Sequence, residues 1–195
     1  LSDTAPPDIP HDRQDMLDAY DGGRNDMFAA VAEQAGVGLG NISVGYYDAR
    51  QLGVYWALAA NFTLADAYFA SVMAPTIPNR LYSIAGQAGG LTTDIVPLGG
   101  TEMTTIFDQL QGAGISWRYY GDTSLISKPT PLYIPHIVHD SAMAANLVPV
   151  AQLLGDIASC NLPSVTYIDS KGALPSQLAR SEHPPGDLEV GQAWA

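Results

Sequence analysis

The sequence predicts an α/β protein with a mainly parallel sheet sandwiched by helices, on three observations. Helical and strand-type hydrophobic patterns alternate along the chain, glycines follow the helical stretches where a helix has to stop, and hydrophobic residues make up 47% against 14% charged, the composition of a packed core. A length of 195 residues is enough for one such core, so residues 1–195 are read as a single domain. In a fold of this class the site lies at the carboxyl ends of the strands.

The elements follow in order. Leu1 to Pro10 is rich in Pro and Asp and reads as an extended surface segment leading into His11 and Asp12. From Met27 to Ala35 the apolar Phe28, Val31, Ala32 and Ala35 fall at helical spacing, and Gly36, Gly38 and Gly40 end that helix. These glycines lack the third position of a dinucleotide fingerprint and the Gly-Lys-Ser/Thr ending of a phosphate loop, so they read as a helix stop. Asp48 is placed to cap a helix to about Ala60, and Phe62 to Phe69 turns toward strand character. Thr101 to Gln111 is a second helix with Ile106, Phe107 and Leu110 inward, and Ile115 to Tyr119 is the next strand. Ser127 to Pro135 reads as a long loop, Pro149 opens a helix through Ala158, and Ser164 to Asp169 is a short buried strand ending in an acid.

Charge narrows the partners. Eight basic against twenty acidic residues give a net charge of −12, and the few cations are scattered, so nothing supplies the counterion release that drives nucleic-acid binding. The sequence holds no apolar run of the roughly 18 to 20 residues that cross a bilayer and no basic stretch followed by an apolar signal core. Cys160 is the single cysteine, which excludes an intrachain disulfide and cysteine-rich zinc sites; it reads as a half-buried structural thiol. His136 and His139, beside Pro135 and β-branched residues, read as surface histidines on a loop or strand. Asp66 and Asp169, near strand ends, stay unassigned because such aspartates commonly cap turns.

The most informative stretch is Ser71-Val72-Met73-Ala74-Pro75-Thr76-Ile77-Pro78-Asn79-Arg80-Leu81-Tyr82. Two prolines stiffen the chain around Thr76, which falls where a strand gives way to a helix to about Gly86. A hydroxyl there faces unpaired backbone N–H groups and the positive end of the helix dipole, which favour an alkoxide and a bound phosphate. Local physics also allows the plainer role of N-cap, the commoner use of a threonine at that position.

Gly45-Tyr46-Tyr47-Asp48, Tyr55-Trp56-Ala57-Leu58-Ala59, Phe62-Thr63-Leu64-Ala65-Asp66-Ala67-Tyr68, Ser71-Val72 and Pro75-Thr76-Ile77-Pro78-Asn79-Arg80-Leu81 together resemble the central block of the bacterial phosphoesterase family of phospholipases C and an acid phosphatase. Ser181-Glu182-His183-Pro184-Pro185 with Gly191 is similar to a later block of that family, and His11 with Gly22-Gly23 and Met27-Phe28 resembles an early one. The resemblance implies an alkaline phosphatase-like core and a hydrolase of phosphate mono- or diesters, phospholipid included among the substrates. It makes Thr76 the nucleophile that takes the phosphoryl group and touches the metal, and places His11 and His183 beside the phosphate. It further implies a divalent metal ion and export to the periplasm or outside the cell.

Two of the family's segments have no counterpart in these residues: a Glu-Asn segment ahead of the early histidine and an Asp-Glu segment after the later block, both carrying hard oxygen ligands. The core is therefore expected to be incomplete within residues 1–195, with the metal ligands other than Thr76 supplied by the remainder of the polypeptide. The alternative expectation is a non-catalytic fragment or a phosphate-binding remnant without a metal site.

Overall fold

The computed structural model describes residues 5–121, 130–169 and 182–195. The chain forms two compact units, one from Leu1–Pro75 with Pro175–Ala195 and the other from Thr76–Leu174.

The second unit holds the sheet. Strand β1 (Trp117–Gly121) is central and pairs in parallel with β2 (Leu147–Pro149) on one side and β3 (Val165–Ile168) on the other. Alternation of side chains along β1 assigns the two faces. Trp117 and Tyr119 join the core with Ile77, Leu81 and Ile84 of α5 (Thr76–Ala85), Phe107 and Leu110 of α6 (Ile106–Gly112), Ile137 of α7 (Pro135–His139) and Met143 of α8 (Ser141–Ala144). Arg118 and Tyr120 point the other way, where both meet Asp156 of α9 (Leu153–Ala158) at 2.8 and 2.7 Å. Helices thus cover both faces of a parallel sheet, as the sequence pattern predicts. Phe107 binds the layers together: its ring centroid lies 4.6 Å from that of Trp117 and 5.1 Å from that of Tyr167, within the range where aromatic pairs add to area burial.

The first unit carries α1 (Arg13–Tyr20), α2 (Phe28–Ala35), α3 (Leu39–Ser43), α4 (Gly53–Asn61) and α10 (Leu188–Trp194). Asp12 caps α1, accepting from the N–H groups of Gln14 and Asp15, while Asp15 reaches back to the Asp12 N–H at 3.0 Å, a reciprocal cap that satisfies otherwise orphaned donors. The glycine loop works as a stop and a nest. The Glu33 carboxylate accepts from the N–H of Gly38 and of Gly40, and a Cβ on Gly40 would stand 2.7 Å from the Ala29 carbonyl oxygen. A carboxylate of the chain itself occupies the place a phosphate would take.

Several sequence expectations are corrected. The helix expected from Asp48 begins at Gly53; Asp48 instead organises the preceding turn, accepting from the Arg50 N–H and its guanidinium while its carbonyl takes the Leu52 N–H. Residues 62–69 form no strand and are exposed: among the described residues no strand pairs with them, and β character needs such a ladder. For the same reason no strand precedes Thr76. The helix expected over Thr101–Gln111 starts at Ile106, where the Asp108 carboxylate accepts from the Thr105 N–H and hydroxyl. Pro149 closes β2, and the helix after it opens as a 3₁₀ turn, Val150–Gln152. β3 is half-buried rather than buried. His136 and His139 lie on a helix, with Pro135 at its first turn, where a missing N–H costs nothing. Cys160 is exposed, at φ 55°. Of the loop expected over Ser127–Pro135, residues 127–129 lie outside the described residues, and Thr130–Tyr133 is a 3₁₀ turn.

Candidate functional site

Within the first unit the structure brings His11 and His183 together. Their ring centroids are 5.7 Å apart and the planes cross at 68°. His11 immediately precedes the N-cap of α1, and its Nδ1–H donates to the Ile9 carbonyl at 2.7 Å with the Asp8 carboxylate 3.4 Å away. His183 donates from Nδ1–H to the Pro184 carbonyl, also at 2.7 Å. A ring that gives Nδ1–H to a carbonyl carries its lone pair on Nε2 when neutral.

The segment carrying His183 is fixed by its neighbour. Glu182 accepts a short hydrogen bond from the Tyr55 hydroxyl of α4. Burial, and then the Glu182 carboxylate, push the Tyr55 phenol up to about 12, so it stays protonated as the donor. Glu182 can lie there only because position 191 is glycine: a Cβ on Gly191 would sit 2.3 Å from Glu182 Cγ. Gln192 completes the tie, its Oε1 accepting from the Val54 N–H at 2.7 Å and its amide donating to the Gln51 carbonyl at 3.1 Å. Because Leu52 offers α4 no side-chain cap, Gln192 supplies from a distance the acceptor that a helix start requires.

In the second unit Thr76 is the first residue of α5. The helix start is tied at two points. The Ile77 N–H donates to the Asp94 carboxylate at 2.7 Å, so one of the orphan donors is already matched with an anion. Arg80, one turn further, bonds Asp169 at 2.8 Å, and the Tyr119 hydroxyl donates to the same carboxylate at 2.8 Å. Asp169 directly follows β3, at the carboxyl end of the sheet where α/β sites are built. Burial, and then the Asp169 charge, push the Tyr119 phenol far above its ordinary value. Asp66, the other strand-end acid considered, is exposed in the turn after α4.

Sequence reasoning did not find Asp94, Glu182 or Gln192. Asp94 carries no local signal for its role, since it meets Ile77 only through folding. A separate polar cleft of about 410 Å³ is lined by Gln111, Ser116, Arg118, Asn146 and Asn161, among others; it lies by the amino end of β1 and does not involve Thr76. Among the described residues no helix is long and apolar enough to cross a membrane.

The second unit thus sets Thr76 at the start of a helix beside a parallel sheet, and the first unit brings two histidines from distant parts of the sequence together. The chain belongs to the Phosphoesterase family, whose model matches residues 2–195. It is similar to phospholipase C B of Mycobacterium tuberculosis, 30% identical over 90% of this chain and 37% of that protein. It is also similar to non-hemolytic phospholipase C of Pseudomonas aeruginosa, 30% identical over 90% of this chain and 26% of that protein. Non-specific phospholipase C4 of Arabidopsis thaliana is 28% identical over 95% of this chain and 37% of that protein. The chain therefore spans between about a quarter and little more than a third of the length of these relatives.

Proposed function

We propose that this chain is part of a phosphoric ester hydrolase of the phospholipase C type, in which both units belong to one phosphoesterase domain and Thr76 is the nucleophile. The observation that carries the reading is the meeting of His11 and His183, two histidines from distant blocks of the sequence, in a chain whose family handles phosphoesters. Phosphate mono- or diesters are the substrate class, with phospholipids favoured by the names of the relatives. Export from the cell belongs to the same reading.

In this mechanism the Thr76 hydroxyl loses its proton to solvent as its oxygen attacks phosphorus, the bond from phosphorus to the alcohol oxygen breaks, and the alcohol leaves with a proton from a histidine. Water then attacks the phosphothreonine, gives up a proton, and releases phosphate or a phosphomonoester together with the Thr76 hydroxyl. His11 and His183, whose Nδ1–H groups are given to backbone carbonyls, supply Nε2–H donors to the phosphoryl oxygens in their imidazolium form. A divalent metal, when bound, would help ionise the hydroxyl. The residues described around Thr76 do not fit an oxygen-ligand metal site: Asp94 is engaged by the Ile77 N–H, and Asp169 by Arg80 and Tyr119. No step is therefore assigned to a metal held by these residues. That same engagement favours, as the second reading, a phosphate-binding remnant that does not turn over.

Acid-quenched incubation with a labelled aryl phosphate or phosphatidylcholine separates the two. Label on Thr76 that disappears in Thr76→Ala, with the circular dichroism spectrum unchanged, supports the nucleophile. Undiminished turnover by Thr76→Ala ends that role, and phosphate binding without label or turnover supports the remnant.

A further inference from the structure

The polar cleft by the amino end of β1 is built from the three segments that lead into the three strands of the sheet. Gln111, Ser116 and Arg118 come from α6, the turn after it and β1, Asn146 from the step between α8 and β2, and Asn161 from the turn between α9 and β3. Its volume of about 410 Å³ falls in the range of small-molecule sites. We propose that this cleft binds a small neutral polyhydroxyl compound, a sugar or a polyol.

The backbone of the sheet holds the walls in place before any ligand arrives. The Asn146 carbonyl accepts the Tyr119 N–H at 2.9 Å, the Ser116 carbonyl accepts the Val165 N–H at 3.0 Å, and the Ser116 hydroxyl oxygen accepts the Ser164 N–H at 2.9 Å. Cys160, at φ 55°, turns the chain out of α9, and the Asn161 carbonyl then accepts from Arg118 at 3.1 Å. The side chains nevertheless keep hydrogen-bonding capacity in reserve. Gln111 Oε1 accepts from the Trp117 indole N–H at 3.1 Å, which fixes the amide with its NH2 group on the other side. Asn146 uses one amide N–H, given to the Ala142 carbonyl at 3.3 Å, and among the described residues the Asn161 side chain has no hydrogen-bond partner. Arg118 makes all its bonds from Nη1, to Asp156 at 2.8 Å, the Tyr120 hydroxyl at 3.4 Å and the Asn161 carbonyl, so its Nε–H and Nη2–H edge is left over.

The character of these groups selects the ligand. Arg118 is the one charge in the lining, and the Asp156 carboxylate beside it offsets that charge. In a chain of net charge −12, the cleft therefore offers an oxyanion little attraction. Amides both donate and accept, and so does a hydroxyl, so a ring of hydroxyls can match Gln111, Asn146 and Asn161 together. Two neighbouring hydroxyl oxygens also suit the parallel N–H groups on the remaining edge of the guanidinium. An apolar ligand would strip water from the same groups and leave them unpaired. Binding here needs neither Thr76 nor the histidine pair, so it stands or falls separately from phosphoester hydrolysis.

D-glucose titrated into the full 195-residue chain, followed by nitrogen–proton NMR at constant ionic strength, is the test. Saturable shifts of the Gln111 and Asn161 side-chain amides and of the Trp117 indole N–H are expected, with a dissociation constant of about 1–10 mM for so small a ligand. Asn161→Ala removes a side chain that holds nothing else in place, and should weaken binding about fivefold, read from the Gln111 and Trp117 signals. Thr63→Ala, at an exposed position of the first unit, should leave it unchanged, and circular dichroism confirms that both variants are folded. Sodium phosphate and sodium acetate at equal concentration should leave the three signals in place. No saturable shift by about 50 mM glucose, well above the expected constant, or equal affinity in Asn161→Ala, would overturn the proposal. Tighter binding of phosphate or acetate than of glucose would overturn it too, by making the cleft an oxyanion site.

Discussion

Replacing His136 with glutamine removes a cation held between two carboxylates. Nδ1–H donates to Glu102 at 2.6 Å and Nε2–H to Asp108 at 2.8 Å, and Glu102 also accepts the His136 backbone N–H at 3.1 Å. With both ring nitrogens donating, the bound form is the imidazolium. Burial alone would lower its pKa, but the bonds to Glu102 and Asp108 and their charges outweigh burial, so His136 titrates above its ordinary value. Asp108 moves the other way: burial raises it, while the Thr105 N–H and hydroxyl and then His136 bring it below the usual carboxylate range. The clamp joins the segment before α6, α6 itself and α7. Gly100 makes it feasible: at φ 85° it passes so close to the Tyr133 carbonyl that a Cβ would come within 2.4 Å, and this delivers Glu102 to His136.

A buried charged hydrogen bond contributes about 1.5–3 kcal/mol and an exposed ion pair about 0.2–1. With His136 at 36% side-chain exposure, its two bonds together are worth about 1–2 kcal/mol. The sign follows from the raised pKa: this stabilisation is complete below the unfolded value near 6.5 and is lost as pH rises through the higher folded value. The Asp108 contribution is present above about pH 4 and is lost as pH falls through its depressed folded value. Urea unfolding followed by near-ultraviolet circular dichroism of the Phe107–Trp117 cluster should place His136→Gln about 0.5–1 M below wild type at pH 5.5, for a slope of about 2 kcal/mol per M. The gap should narrow at pH 9 and in 0.5 M salt. An equal gap at both pH values, or none, would refute the clamp.

Leu81→Ala, at a fully buried position of α5, should cost about 2–5 kcal/mol in the same urea assay, and a loss below 1 kcal/mol would show that this core is not packed as described. Gly191→Ala should break the Tyr55–Glu182 bond; the Tyr55 phenol, held up at about 12 by burial first and by Glu182 second, should then titrate below its wild-type value by ultraviolet difference spectroscopy, and an unchanged Tyr55 titration would count against that contact.

The sheet was legible where sequence pattern and tertiary need agree. β1 and β3 are short apolar or aromatic runs bounded by turn residues, and both are found within two residues of the expected bounds. β2 is three residues ending in proline, too brief for periodicity to register, and its pairing depends on β1 rather than on its own composition. Residues 62–69 show the converse. Phe62, Leu64 and Tyr68 have strand-type character, yet 76%, 68% and 83% of their surfaces are exposed, because composition cannot supply the neighbouring strand. The cap of α1 was legible in principle: Asp12 and Asp15 have the spacing of a reciprocal cap, which directly follows His11.

Site residues divide along the same line. Thr76 could be singled out because prolines and the start of a helix are local features, and α5 does begin there. What surrounds that start could not be, because Asp94 and Asp169 reach α5 from the loop after it and from the end of β3. Their effect on chemistry is nevertheless specific. An N–H already given to a carboxylate is not available to a phosphate, so an incoming phosphate at α5 must either displace Asp94 or use the remaining first-turn donors. The helix start is therefore not a vacant anion site, and any phosphate handling by Thr76 depends on how tightly Asp94 holds Ile77.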